Sequence, residues 1–228
     1  MKKSQLSMFA MIIMALVCMG FVSCGGDEDD EINSGEIKTD SKNPNAIDLG
    51  LSVLWADRNV GALFPEHSGT GISWGETAGK NNFYYNYVFQ GTKAADAPRD
   101  ISGTDYDAAK ANWGGRWRMP TKAEVEELIQ KCQITYERTS YNDGLKVVGK
   151  NGNFIFLPEN YIGKSNGPQK ANSYWTSNSL TTTQEGAISA VTFVFPVSFS
   201  NYLGEKATIN LNYKAGFYPL VIRPVMSK

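Results

Sequence analysis

The chain has 228 residues, a formal net charge of -1 and no basic stripe, which argues against nucleic acid as a partner. Three cysteines and a single histidine exclude multi-histidine metal centres and thiolate clusters, so neither a metal site nor a cofactor is expected. Aromatic residues make up 12% of the chain and glycines number 22, a composition suited to short strands joined by many turns.

The chain opens on Lys2 and Lys3, followed by an apolar stretch from Leu6 to Val22. That stretch is marginal for a membrane-spanning helix, which needs ~20 predominantly apolar residues, and it suits the core of a signal peptide. It ends Phe21-Val22-Ser23-Cys24-Gly25-Gly26, a small residue before a cysteine. This resembles the lipobox of bacterial lipoproteins, although Phe21 stands where leucine is usual. The resemblance implies a signal peptide over 1–23 and lipidation of Cys24, which then tethers the chain to a membrane. An ordinary secretory signal and an uncleaved anchor are the alternatives. Residues 24–45 read as an acidic flexible linker, since the run Asp27-Glu28-Asp29-Asp30-Glu31 repels itself. The run also resembles the export signal of Bacteroidetes-type surface lipoproteins, which implies an outer-membrane, surface-exposed anchor; a plain spacer and attachment at the inner face are the alternatives.

Residues 46–228 form the expected domain, long enough to bury its own core. Ile47 to Ala56 reads as a strand pair turning near Gly50, and Ile72 to Glu76 as a short extended piece. Asn81 to Phe89 is rich in aromatics, and Thr92 to Thr104 reads as a loop. A short helix is expected near Asp105 to Asn112. The clearest helix begins at Thr121, where Thr121-Lys122-Ala123-Glu124 fits a capping box. Val125, Leu128, Ile129 and Cys132 then fall on one apolar stripe, so Cys132 is expected as a small buried hydrophobe. Leu145 to Val148 and Phe154 to Leu157 flank Asn151-Gly152, a hairpin signal. Ala187 to Phe195, Ala207 to Tyr213 and Phe217 to Val225 complete the expected strands. The class is α+β, with irregular antiparallel sheets, one or two helices and long loops.

Several blocks carry a further resemblance. They are Asp48-Leu49-Gly50-Leu51, Leu54-Trp55-Ala56, Asn59-Val60-Gly61-Ala62, Trp74-Gly75-Glu76-Thr77 and Trp113 to Thr121. Gly149 to Leu157, Tyr174-Trp175-Thr176-Ser177 and Arg223-Pro224-Val225 follow in order. Together they resemble the FISUMP domain (the Fibrobacter succinogenes major paralogous domain) of surface lipoproteins. Arg118-Met119-Pro120-Thr121 with Glu124 is also similar to a turn of the formylglycine-generating enzymes, which implies a C-type-lectin-like fold. The cysteine pair of those enzymes is not matched, because Cys132 is the one thiol of the domain. Calcium-binding lectin signatures are not matched either; Pro158-Glu159-Asn160 is a reordered partial echo.

No catalytic residue is assigned. His67, in the Pro/Gly loop Phe64 to Gly69, reads as a solvated loop residue. Trp113, Trp117, Arg118 and Trp175 read as scaffold, with Arg118 pairing either Glu76 or Glu124. Glu124/Glu127 and Asp105/Asp107 are weak acid–base candidates. Tyr84, Tyr85 and Tyr87 are the ligand-binding candidates, because tyrosine rings anchor interfaces and stack on sugars at low entropy cost. The expected function is a non-catalytic binding or adhesion module for a glycan or a surface protein. An enzyme on the formylglycine-generating scaffold and a structural subunit of a surface assembly are the alternatives.

Overall fold

Strand Val53–Ala56 alternates inward side chains, and its Trp55 is wholly buried, so the N-terminal end of the domain is anchored by one large ring. The computed structural model describes residues 44–80, 86–164, 167–184, 187–196 and 203–228, excluding the side chains of 162–164, 167–169 and 184. All described residues belong to one compact unit. The signal segment, Cys24, the acidic run, Tyr84 and Tyr85 lie outside them.

In chain order the described elements are β1 (Ala46–Ile47), β2 (Val53–Ala56), α1 (Ala108–Trp113), β3 (Trp117–Arg118), α2 (Lys122–Lys131), β4 (Gln133–Arg138) and β5 (Asp143–Val148). Then come β6 (Phe154–Pro158), β7 (Tyr161–Lys164), β8 (Gly167–Lys170), β9 (Ser173–Gln184), β10 (Ala187–Val194), β11 (Asn210–Ala215) and β12 (Val225–Ser227). Every strand pair is antiparallel. The sheets run β1-β2-β12-β3, β11-β10-β9, β4-β5-β6 and β7-β8. The molecule is thus a set of small antiparallel sheets with long loops and, among the described residues, two helices. C-terminal β12 lies between β2 and β3, so the two ends of the domain close on each other.

Two apolar clusters share the β9–β10 hairpin. Because strand side chains alternate faces, Tyr174 and Phe193 enter one cluster while Trp175, Ile188 and Ala190 enter the other. The first cluster packs α2, through Val125 and Leu128, onto the inner face of β4-β5-β6. The second packs Trp74, Tyr87, Ile101 and Ala109 onto the opposite side of the hairpin. Trp74 and Trp175 clasp this half together. The Trp74 indole N–H donates to the Thr176 carbonyl at 3.0 Å, and that of Trp175 to the Ile72 carbonyl at 2.9 Å.

The capping box forms as the spacing predicts. Thr121 Oγ1 accepts the Glu124 N–H at 3.3 Å, and Glu124 Oε2 accepts the Thr121 N–H at 2.8 Å. The helix stops at Lys131, and Cys132 is its C-cap, half-buried against the first cluster rather than fully enclosed. Burial still pushes its thiol up to about 11, so it stays protonated. The Asn151-Gly152 turn joins β5 to β6, with Gly152 at φ +86.

Two strand expectations need correction. Ala207 to Tyr213 divides in two: Ala207 donates to the Ile134 carbonyl and covers the edge of β4, and β11 starts only at Asn210. Phe217 to Val225 is not a continuous strand. Pro219 and Pro224 lack the N–H a ladder requires, leaving single bridges at Leu220 and Val221 before β12 begins. The long β9 and the whole of β4 were not expected from the sequence.

A carboxylate ties α2 to the β1–β2 turn. Glu127 accepts the Ser52 N–H at 3.0 Å, the Ser52 hydroxyl at 2.5 Å and the Lys131 ammonium at 2.7 Å. Burial opposes ionisation, yet these bonds from Lys131 and Ser52 hold the carboxyl at about 2 against an ordinary 4.5. A depressed carboxyl contributes stability that is present above 4.5 and lost as pH falls towards 2. Glu127→Gln should therefore flatten the acid limb of stability against pH between those values. Solvent access reduces the effect to about 1 kcal/mol. Chemical-denaturation midpoints at a series of pH values check this; identical acid limbs would refute it.

Candidate functional site

The sheet β4-β5-β6 has two unlike faces. Ile134, Tyr136, Leu145, Val147, Ile155 and Leu157 point into the core. Register places Glu137, Gly144, Lys146, Phe154 and Phe156 on the opposite face. Gly144 leaves room there for the Phe156 ring: a Cβ at position 144 would lie 2.6 Å from Phe156 Cζ. This outward face floors a cleft of about 400 Å³, walled by Ile47, Asp57, Pro65, Glu66 and Thr139.

The wall is a loop built by the Asn59-Val60-Gly61-Ala62 block. Asn59 Nδ2 donates to the Ser68 carbonyl at 2.8 Å, and the Thr70 N–H donates to the Val60 carbonyl at 2.9 Å. Gly69, at φ +79, packs so closely that a Cβ would lie 2.5 Å from the Val60 carbonyl oxygen. The loop leans on the β4–β5 turn, where Asn142 Nδ2 donates to the carbonyls of Glu66 (3.3 Å) and Glu159 (3.0 Å). Both loops carry rings next in sequence to residues of the cleft wall, Phe64 and His67 flanking Pro65 and Glu66, and Tyr141 two positions past Thr139. Phe64 and His67 meet edge to face at 5.1 Å, and His67 meets Tyr141 at 6.2 Å. Tyr141 is 79% exposed and Phe154 53%.

Charge in the cleft is uneven. Asp57, Glu66 and Glu137 line it together with a single cation, Lys146. Lys146 lies 3.6 Å from Glu137 and 4.6 Å from the centroid of the Phe154 ring. Asp57 Oδ2 accepts from Asn45 at 2.8 Å, while its buried Oδ1 has no hydrogen-bond partner.

A second, larger groove of about 730 Å³ runs between the end of α2, β4 and residues 204–209. Its walls include Cys132 and Lys206, with no aromatic ring and no carboxylate. Among the described residues no group of three His, Cys, Asp or Glu side chains converges as a metal site, and no helix is long and apolar enough to cross a membrane.

The residues singled out in the sequence are dispersed. Tyr87 is a correction: it is buried, with its ring in the second core cluster and its hydroxyl packed against Gly216. Val88 between Tyr87 and Phe89 is the exposed one, but the segment is a turn and not a strand: the Gln90 N–H donates to the Tyr87 carbonyl at 2.9 Å. Burial pushes the Tyr87 phenol well above its ordinary range. Trp175 is wholly buried, and Trp117 packs edge to face on Trp113 at 5.5 Å. Arg118 pairs with Glu124 through both oxygens, at 2.5 and 2.9 Å; Glu76 instead takes Lys80 at 2.8 Å. His67 belongs to the ring cluster it forms with Phe64 and Tyr141.

Each carboxylate with a displaced pKa has a scaffold contact. Lys228 and Gly50 hold Asp48 down, and Arg138 holds Asp143 down. Burial opposes ionisation of Glu124, but Arg118 and Thr121 keep it low. Burial raises Asp107 against four backbone N–H donors. Glu124 with Glu127, and Asp105 with Asp107, thus serve separate contacts rather than one reacting centre. The cleft itself was missed in the sequence. Its one legible signal was the outward phase of Phe154 and Phe156 beside a loop holding Phe64 and His67.

No family model matches this chain, and no curated protein or solved structure matches it either.

Proposed function

We propose that this chain is a lipid-anchored surface lipoprotein whose domain is a non-catalytic binding module for a glycan or protein ligand. The observation that carries the reading is the cleft on the outer face of β4-β5-β6. There an apolar floor, the exposed Phe154 ring and carboxylates meet, the mix of apolar surface and a few polar groups that ligand sites use. The Arg118–Glu124 pair and the Trp74–Trp175 clasp support the scaffold, away from this cleft. Membership of the FISUMP group, and a C-type-lectin-like arrangement of the antiparallel sheets, are part of the same proposal. They rest on the sequence blocks and on the long-looped antiparallel architecture.

The anchor is tested by Cys24→Ser. Wild-type chain expressed in a Gram-negative host should partition with the outer membrane and incorporate labelled palmitate. The variant should lose the label and move to the soluble fraction; membrane retention without label would refute lipidation. The module is tested by screening the chain from Gly25 onward against glycan arrays and against surface proteins. A ligand whose binding falls at least tenfold in Phe154→Ala and Tyr141→Ala is the expected result. Complete absence of ligands, or binding indifferent to both changes, would overturn the assignment to this cleft.

A further inference from the structure

Of the carboxylates in the cleft, Glu66 is the least committed: its side chain makes no ion pair or hydrogen bond among the described residues. Asp57 Oδ1, in the same cleft, is buried without a hydrogen-bond partner and has a long ion pair, 3.9 Å, with Arg58 Nε. Glu66 is half-buried beside apolar walls, where a carboxylate gains from a cation that meets it. The cleft contains one internal cation, and its position is informative. Lys146 Nζ sits over the Phe154 face and beside Glu137, so one acidic position and one aromatic face already hold an ammonium group. That occupied ring face is poorly placed to stack on a sugar. The Phe156 floor and the Pro65 wall suit the methylene stem of a long basic side chain, with Glu66 and Asp57 at its head. The whole chain carries a net charge of only -1, so the acidic lining is a local feature.

We infer that the cleft receives an arginine or lysine side chain from a basic segment of a partner protein, seated between Glu66, Asp57 and the Phe154 ring. The inference rests on the binding-module reading and narrows its ligand to a cationic peptide. Lys146 then acts as an internal competitor that the incoming cation displaces or shares the site with. The acidic run Asp27 to Glu31 of the same chain has the wrong charge to occupy it.

The test uses the full-length lipoprotein in detergent micelles and a fluorescent peptide of alternating glycine and arginine. Its control is the same peptide with citrulline, which keeps the shape and removes the charge. The arginine peptide should bind at least tenfold more tightly than its control. Glu66→Gln should weaken it at least fivefold, and Lys146→Met should strengthen it about threefold. Glu126→Gln, on the outer side of α2, should change it less than twofold, which separates the cleft from general surface charge. Equal melting midpoints for Glu66→Gln and the parent exclude unfolding as the cause. Equal binding of the two peptides, or an unchanged Glu66→Gln, overturns the inference. A glycan or other protein ligand that Glu66→Gln retains also overturns it, while the broader binding-module reading stands; a chain that binds nothing in either assay loses both.

Discussion

Arg223→Ala is expected to lower the melting midpoint by about 10 °C. Arg223 is wholly buried, and its guanidinium spreads over four acceptors. Nε donates to Asn59 Oδ1 at 2.7 Å, Nη2 to the Phe156 carbonyl at 2.8 Å, and Nη1 to the carbonyls of Asp57 at 3.0 Å and Ala56 at 3.2 Å. One side chain therefore ties β2, the cleft loop and β6 together. Burial lowers the guanidinium to about 10, which leaves it protonated at neutral pH. Truncation would leave a cavity and several buried acceptors without donors, at a cost of about 3–5 kcal/mol. A folded domain has only about 5–15 kcal/mol in hand. Arg223→Lys should fail nearly as badly, because an ammonium group cannot span a planar fan of acceptors. Thermal and denaturant unfolding of the two variants decide the matter. A fall under 3 °C for Arg223→Ala would mean that water or neighbouring groups replace the guanidinium.

Asp107→Ala is expected to cost about 3 kcal/mol, from lost helix capping and unsatisfied buried donors. Asp107 is buried at the N-cap of α1 and serves more than that helix. Oδ1 accepts the N–H groups of Ala109 at 2.8 Å and Lys110 at 3.2 Å; Oδ2 accepts those of Gly103 at 2.7 Å and Met119 at 2.9 Å. The carboxylate thus joins the 103 turn, the start of α1 and the segment leading into the capping box. Asp107→Asn should recover about half the loss, since the amide keeps one acceptor and sets its NH₂ against two donors. Hydrogen exchange gives the local readout: amides of Gly103 and Met119 should lose protection in Asp107→Ala. Retained protection at both would show that the bonds to Oδ2 contribute little.

Features set by neighbours along the chain are legible in the sequence. The capping box at Thr121, the outer and inner sides of α2, the Asn151-Gly152 hairpin and the strand pair around Gly50 depend on contacts within a few residues. Residue type and spacing suffice for these. The choice of Glu124 over Glu76 as the partner of Arg118 is intermediate. Both carboxylates were plausible, and Glu124 wins because the capping box already holds it six positions from Arg118, whereas Glu76 accepts the Val88 N–H and pairs with Lys80.

The candidate site was not legible, and Tyr87 shows why. A run of aromatics does not say which ring will be core, because that depends on what lies opposite; here Gly216, far along the chain, leaves the space that Tyr87 fills. The cleft is likewise assembled from β1, the 57–66 region, the β4–β5 turn and β6, held in register by pairings that no local pattern encodes. By itself the sequence motivated the proposal of a tether and determined the absence of a cysteine pair in residues 46–228, the local helix and hairpin signals, and the α+β class. Only the tertiary structure decided which rings are core and which are surface, what Arg223 and Asp107 hold together, and where acidic and aromatic side chains converge. The reason is physical: caps and tight turns are stabilised within one stretch of chain, whereas a cleft exists only after distant strands have paired and left a gap between them.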